Sequence, residues 1–327
     1  MNKVSFIEGV SPRGHININR FYITEMASKV STVYIGHSLA NFYEDISKVE
    51  FFCDNNLFGS RLFRAIGFVN NTIKSIYKAK KNNTKTVCLL SYDPLLFFLV
   101  VYFSKFMGIK LYAFEHNTVP VKGLHKYFFQ YICFDWINRI CYTPKAVEIY
   151  KQMGQKAIYS PHPIINYENN LYKSDQLSQQ IFHYKKKYKF IVFCPSSSMS
   201  IDRLLLKAQE HSSFLFIVKT KKTINLDNVI TMPFFDNYNE LLCASDFLYL
   251  SISLNARVSG PFFEAVGAGK KIILQKGAFY DYAVEHFKDY VLDDENGWEF
   301  GIIPRKKINL EKYNNEIKSK LKDFFDE

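Results

Sequence analysis

The segment Val258–Lys271, VSGPFFEAVGAGKK, sets Ser259, Gly260 and Pro261 where a loop turns into a helix. Proline suits a first helical turn because no N–H is needed there, and the free amides of that turn favour anions, so a diphosphate can sit against them. Glu264 falls one turn further in. From there a carboxylate can accept both hydroxyls of a ribose. Gly267 and Gly269 then shorten and end the helix ahead of the apolar run KKIIL.

Two other loops carry groups that could move a proton or hold a sugar. IKLYAFEHNTVP places Glu115, His116 and Asn117 at the end of an apolar run. A carboxylate in that position could act as general base towards a hydroxyl, with Glu115 the candidate base, and a histidine could do likewise or bond the transferred group. The bland reading of the same triplet is a structural cap. GVSPRGHININR offers Arg13, Gly14 and His15 between the first apolar run and the first helical pattern, where an ordinary strand-to-helix turn is the alternative. His162, in SPHP, reads as a loop histidine without a ligand role. No His/Asp/Glu cluster has metal-ligand spacing, so no metal is expected.

The elements that must position these residues alternate along the chain. KVSFIEG, STVYIGH, KVEFFCD, TVCLLSYD, IKLYAFEHN and RICYTP are short β-rich runs separated by helical stretches, the pattern of a doubly wound parallel α/β sheet. One more strand, KAIYS, leads to the Pro-His-Pro break and a polar stretch from Asn166 to Lys189. The alternation restarts with KFIVFCPSSS, SFLFIVKTKK, NVITMPF, DFLYLSIS and KKIILQKG. Two Rossmann-like domains follow, 1–165 and 166–327, with a closing helix over Leu310–Phe325 assigned to the second. In such sheets ligands bind beyond the carboxyl ends of the strands, so two of them face to face make a cleft.

Within this frame the Gly260–Lys270 loop resembles that of the GT-B glycosyltransferases, in the family whose signature is Glu, seven residues, Glu. Its donor loop is similar to E-G-F-G-x-P-x-x-E-A-x-A-x-G-K-P-V-I, matched here at Gly260, Pro261, Glu264, Ala265, Gly269 and Lys270; Asp236–Ser253 resembles the helix and strand that precede it. The resemblance implies a two-domain GT-B fold, a nucleotide-diphosphate sugar as co-substrate with no other cofactor, metal independence, and Glu264 on the nucleotide ribose. It also implies that Gly14 and His15 approach the donor phosphates or sugar and that Glu115, His116 and Asn117 line the acceptor side with Arg13. Two positions depart from the pattern: the first Glu of the pair falls on Ala256, and the Arg and Lys that hold the diphosphate are replaced by CPSSSMSID. Lys219, Arg257 and the helix amides are the available substitutes, with Ser196 and Ser198 as further donor contacts or a polar turn. Loss of the first Glu removes the marker of retention, so inversion is favoured.

Composition narrows the setting. Six cysteines without a C-x-x-C pair read as buried free thiols. The N-terminal residues carry no export signal, which predicts a cytoplasmic location. The apolar run Leu95–Met107 is too short to span a bilayer. Residues 1–165 hold 20 Lys/Arg against 10 Asp/Glu, a net +10, whereas residues 166–327 hold 22 against 21. A basic, aromatic first half, as in Lys122–Trp136, suits an anionic membrane surface. HYKKKYK near the boundary reads as a solvated linker, with no nucleic-acid module. The function expected is sugar transfer from a nucleotide sugar to a saccharide acceptor, lipid-linked, at the inner face of the plasma membrane in bacterial surface-polysaccharide (lipopolysaccharide or capsule) synthesis. The rivals are a nucleotide-sugar 2-epimerase of the same fold and a non-enzymatic polyanion-binding protein.

Overall fold

A computed structural model of the chain describes residues 3–10, 15–52, 60–116, 136–166, 183–196, 199–252, 254, 256–298 and 308–326. It divides into two units, Met1–Pro163 with Asn314–Glu327, and Ile164–Tyr313.

In the first unit the order is β1 (Val4–Glu8), α1 (Ile16–Glu25), β2 (Val30–Gly36), β3 (Val49–Phe52), α2 (Arg61–Lys81), β4 (Thr86–Ser91), α3 (Phe97–Phe106), β5 (Lys110–Glu115), β6 (Ile137–Cys141), α4 (Pro144–Gln152) and β7 (Lys156–Tyr159). The seven strands are ordered β3-β2-β1-β4-β5-β6-β7 and pair in parallel throughout. Every residue of β1 and of β4 is buried, as expected for central strands covered on both faces, which read as continuous apolar runs rather than alternating ones. The strand order reverses direction between β1 and β4, so their carboxyl ends frame a crevice of the kind in which such sheets bind ligands. Gly9 and His116 follow strands at that edge.

The second unit runs β8 (Phe190–Cys194), α5 (Ile201–Glu210), β9 (Phe214–Lys219), β10 (Val229–Met232), α6 (Tyr238–Ala244), β11 (Phe247–Leu250), α7 (Gly260–Gly267), β12 (Lys271–Leu274), α8 (Ala278–Phe287) and β13 (Val291–Asp293). Its six parallel strands are ordered β10-β9-β8-β11-β12-β13, with the reversal between β8 and β11. Two glycines set the turn from α7 into β12. A Cβ on Gly267 would lie 1.9 Å from the Ile165 carbonyl oxygen, so only glycine lets the helix approach that backbone. Gly269 has φ +65°, the left-handed conformation that closes a helix.

The final helix, α9 (Leu310–Asp326), changes one expectation. It was assigned to the second domain, but from Asn314 onward it belongs to the first. Phe325 sets its ring edge-on against Phe6 and Tyr112, with centroids 6.2 and 4.9 Å away, and Ile317 and Leu321 are buried beside it. Lys29 pairs with Asp326, and Lys318 with Glu25 at 2.7 Å. Apolar spacing announces that a helix has a face to bury. It does not say which sheet will cover that face.

Candidate functional site

In the second unit the candidate donor residues gather at the carboxyl edge of the sheet. Ser259 caps the start of α7 by position, its own hydroxyl making no capping hydrogen bond, and Pro261 lies in the first turn. A Cβ placed on Gly260 would meet nothing within 4 Å, so there is open space beside that residue at the start of the helix. Glu264 stands one turn in, half-buried, and its Oε2 accepts a 2.6 Å hydrogen bond from the Tyr238 hydroxyl. That bond orients the carboxylate at the edge of the sheet. The Tyr238 ring packs in turn on Phe193 of β8, at 5.4 Å.

The cations sort into available and committed ones. Arg257 is exposed, and Lys219 ends β9 half-buried with Nζ 5.6 Å from the centroid of the Phe234 ring. Phe234 is itself 55% exposed, a flat apolar surface beside a charge at the same sheet edge. Arg203, by contrast, is spent on Asp294 through two hydrogen bonds of 2.6 and 2.8 Å. Lys270, part of the motif match, donates to the carbonyls of Cys243 and Ser245, so it ties down the end of α6 and does not face a ligand. Ser196 follows β8 and is half-buried; Ser198 lies outside the described residues. Ala256 is 5% exposed.

The first unit brings three histidines together. His15 caps α1 and stacks on His116, ring centroids 3.9 Å apart and planes 24° from parallel. Tyr142 lies 5.2 Å from His116 and 5.0 Å from His162, bridging the two. His116 donates from Nε2 to the Leu90 carbonyl at 2.9 Å, and His162 donates from Nδ1 to the Pro163 carbonyl at 2.7 Å. Burial pulls the pKa of His15 down to about 4. It pulls His162 down to about 3, against the Pro163 carbonyl, with His15 adding to the depression. His116 is lowered as well, by burial first and then by the charges its two neighbours would carry. All three are therefore neutral imidazoles at neutral pH, and the burial that keeps them neutral also makes them weak bases. The Nδ1 of His15 is buried without a hydrogen-bond partner among the described residues.

Glu115, the expected base, is elsewhere engaged. Its side chain is fully buried and accepts from Tyr92 at 2.8 Å, from Tyr150 at 2.7 Å and from Arg139 at 2.5 Å. Arg139 is fully buried too, and bonds Gln155 at 2.6 Å. Burial works against its charge, but the oxygens of Tyr92, Glu115 and Tyr150 outweigh that and raise its pKa. A carboxylate tied on both oxygens inside the sheet layer cannot reach a substrate hydroxyl, so Glu115 is a structural residue and the proton-accepting role leaves it. Glu115 packs among Tyr92, Arg139 and Tyr150, while His116, one residue on, lies against His15 and Tyr142 instead.

Sequence reasoning passed over His162, which the fold adds to the cluster, and Glu8. The latter ends β1 fully buried and accepts from Asn19 of α1 at 2.6 Å, from the Val10 amide at 3.1 Å and from the Ser91 hydroxyl. It thereby pins the helix that His15 caps. A glutamate closing an apolar strand next to Gly9 was the available signal. Arg13, Gly14 and Asn117 lie outside the described residues. Among the described residues no group of His, Cys, Asp or Glu could hold a metal ion.

Two parallel Rossmann-like domains of seven and six strands, with ligand-side residues at the carboxyl edge of each, make this a GT-B fold. No family model matches the sequence, and no curated protein sequence does either. Solved structures do. Anabaena Alr3699/HepE, crystallised with UDP-glucose, is similar with a TM-score of 0.71 at 12% identity, over 99% of this chain and 100% of that one. A glycosyltransferase from Rickettsia africae ESF-5 is similar with a TM-score of 0.65 at 15% identity, over 99% and 98%. The UDP-GlcNAc 2-epimerase of Neisseria meningitidis, bound to UDP-GlcNAc, gives 0.57 at 12% identity, over 98% and 100%.

Proposed function

We propose that this chain is a glycosyltransferase that takes a sugar from a nucleoside diphosphate sugar. The observation that carries the reading is Glu264, oriented by Tyr238 one turn inside a helix that starts at Gly260 with open space beside that glycine. Amides there meet a diphosphate, the carboxylate meets a ribose, and Lys219 and Arg257 offset the phosphate charge in place of the family's usual Arg and Lys. Ser259 and Ser196 are polar contacts at the same edge. In the first domain His116 is the candidate proton acceptor in place of Glu115, a weak base beside His15 whose protonation the negative charge of the bound donor has to favour against burial and stacking. An acceptor hydroxyl loses its proton to a neutral imidazole as its oxygen bonds the anomeric carbon, and the bond to the diphosphate oxygen breaks with the nucleoside diphosphate leaving. Attack from the face opposite the leaving group inverts the centre, and the step needs no metal or other cofactor. Arg13 and Asn117 remain acceptor contacts in this reading, and the acceptor is a saccharide carried on a lipid, as in the assembly of a bacterial surface polysaccharide at the inner face of the plasma membrane.

Incubation with a panel of nucleoside diphosphate sugars, with and without a lipid extract, tests this. Binding by calorimetry and acceptor-dependent release of free nucleoside diphosphate are expected. Absence of binding to every member of the panel would sink the reading. The likeness to a 2-epimerase supports a second one, in which UDP-GlcNAc alone is converted to its 2-epimer. Proton NMR of that mixture separates the two.

A further inference from the structure

The first domain carries an outer surface that its own core does not use. Helices α2 and α3 pack side by side over the sheet and share one apolar core, with Phe68 and Ile76 from α2 and Phe97 and Val100 from α3. Their outward stripes stay apolar nonetheless. Seven of the twelve exposed large hydrophobic side chains among the described residues lie on these helices: Leu62, Phe63, Ile66 and Tyr77 on α2 and Leu99, Tyr102 and Phe106 on α3. Phe106 is 85% exposed and Phe63 66%. The spacings 62-66 and 99-102-106 are those of single helical faces, so each set projects as a ridge.

The charge on the same two helices is of one sign. Arg61, Arg64, Lys74, Lys78, Lys80, Lys81 and Lys105 are all basic, and neither helix contains an Asp or Glu. Much of the +10 of residues 1–165 is thus concentrated here. Lys78 reaches Glu50, with both partners exposed, and Lys81 and Lys105 lie over the rings of Tyr77 and Trp136. A soluble monomer seldom exposes aromatic residues in such a row. Aromatic ridges with a cationic rim are the pattern of a surface whose rings enter the headgroup boundary while lysine stems reach anionic phosphates. None of the described helices is long and apolar enough to cross a membrane.

We infer that the α2–α3 face docks the protein onto an anionic phospholipid bilayer. The bilayer is where a lipid-linked acceptor resides, so the purpose of docking rests on the transferase reading, while the observations behind it are those of α2 and α3 alone.

Cosedimentation of the full chain with phosphatidylcholine vesicles, and with vesicles containing phosphatidylglycerol, tests it. Sedimentation is expected with the anionic vesicles and not with the neutral ones. It should weaken as ionic strength rises from about 0.1 M to about 1 M, because the screening length falls from roughly 10 Å to roughly 3 Å. The double variant Phe63→Ser, Phe106→Ser, on exposed sites where folding is not at stake, should lower partitioning roughly tenfold or more. Its nucleotide-sugar binding, read by calorimetry, should stay unchanged. Absence of sedimentation, or equal sedimentation of the double variant, overturns the docking face. So does a concentration-dependent dimer, seen by ultracentrifugation, that the double variant abolishes, because the face would then join two copies. Loss of the transferase reading alone would show as absent nucleotide-sugar binding with vesicle binding intact.

Discussion

The ring of His15 lies on the ring of His116 at 3.9 Å, although one residue caps the first helix and the other follows the fifth strand. Stacking at that distance disfavours a charge on either ring, since each would carry its neighbour's repulsion as well as its own desolvation.

The histidine cluster makes stability fall in acid. Folded-state pKa values of about 4 for His15 and about 3 for His162 lie below the ordinary value of 6.5. Above pH 6.5 both states are neutral and nothing is gained or lost. As pH falls below that, the unfolded chain takes up protons that the folded one refuses, and the loss levels off only below the folded values. At the acid end His15 costs about 3 kcal/mol and His162 about 5 kcal/mol. Urea midpoints measured from about pH 7 to pH 4 should decline, and His162→Gln should flatten the decline; an equally steep variant would remove His162 from this account.

Glu115→Gln should unfold the first domain more easily, by about 3–5 kcal/mol, because Arg139 keeps a buried charge without its counter-ion. Glu115→Gln with Arg139→Met should recover part of that loss. If Glu115 were the base, the single variant would instead keep its urea midpoint and lose turnover.

Tyr238→Phe removes the hydroxyl that holds Glu264. Donor affinity should drop by about 1 kcal/mol, roughly fivefold, and by more for Glu264→Ala, with both proteins retaining their melting temperature. A Tyr238→Phe protein that binds as tightly as the parent would detach Glu264 from the donor.

The two glycines of the α7–β12 turn should differ. Gly267→Ala forces a methyl into the Ile165 carbonyl and should cost more than about 3 kcal/mol or shift that backbone. Gly269→Ala meets open space and pays only for its left-handed φ, about 1 kcal/mol. Thermal unfolding of the pair ranks them.

The alternation of apolar runs is enough to read the seven strands of the first sheet and five of the six of the second, because buried parallel strands leave an apolar composition; β13, three residues long and only half-buried, leaves no such run. The site was read unevenly. Glu264 stood in a local motif, so its role could be argued from neighbours in sequence, whereas Tyr238, its hydrogen-bond partner, lies on the preceding helix. Glu115 and His116 looked alike as strand-end polar residues. What separates them is Arg139, on the adjacent strand β6 but 24 residues along the chain, and no local pattern announces a buried guanidinium. His162 was dismissed as a loop residue for the same reason: its neighbours His15 and Tyr142 are joined to it only by the fold.

The return of Asn314–Asp326 to the first sheet has a consequence for biosynthesis. The first unit is closed by residues from distant parts of the sequence, so it cannot be completed until the helix over residues 314–326 has been made, and until then Phe6 and Tyr112 lack the cover that Phe325 gives them.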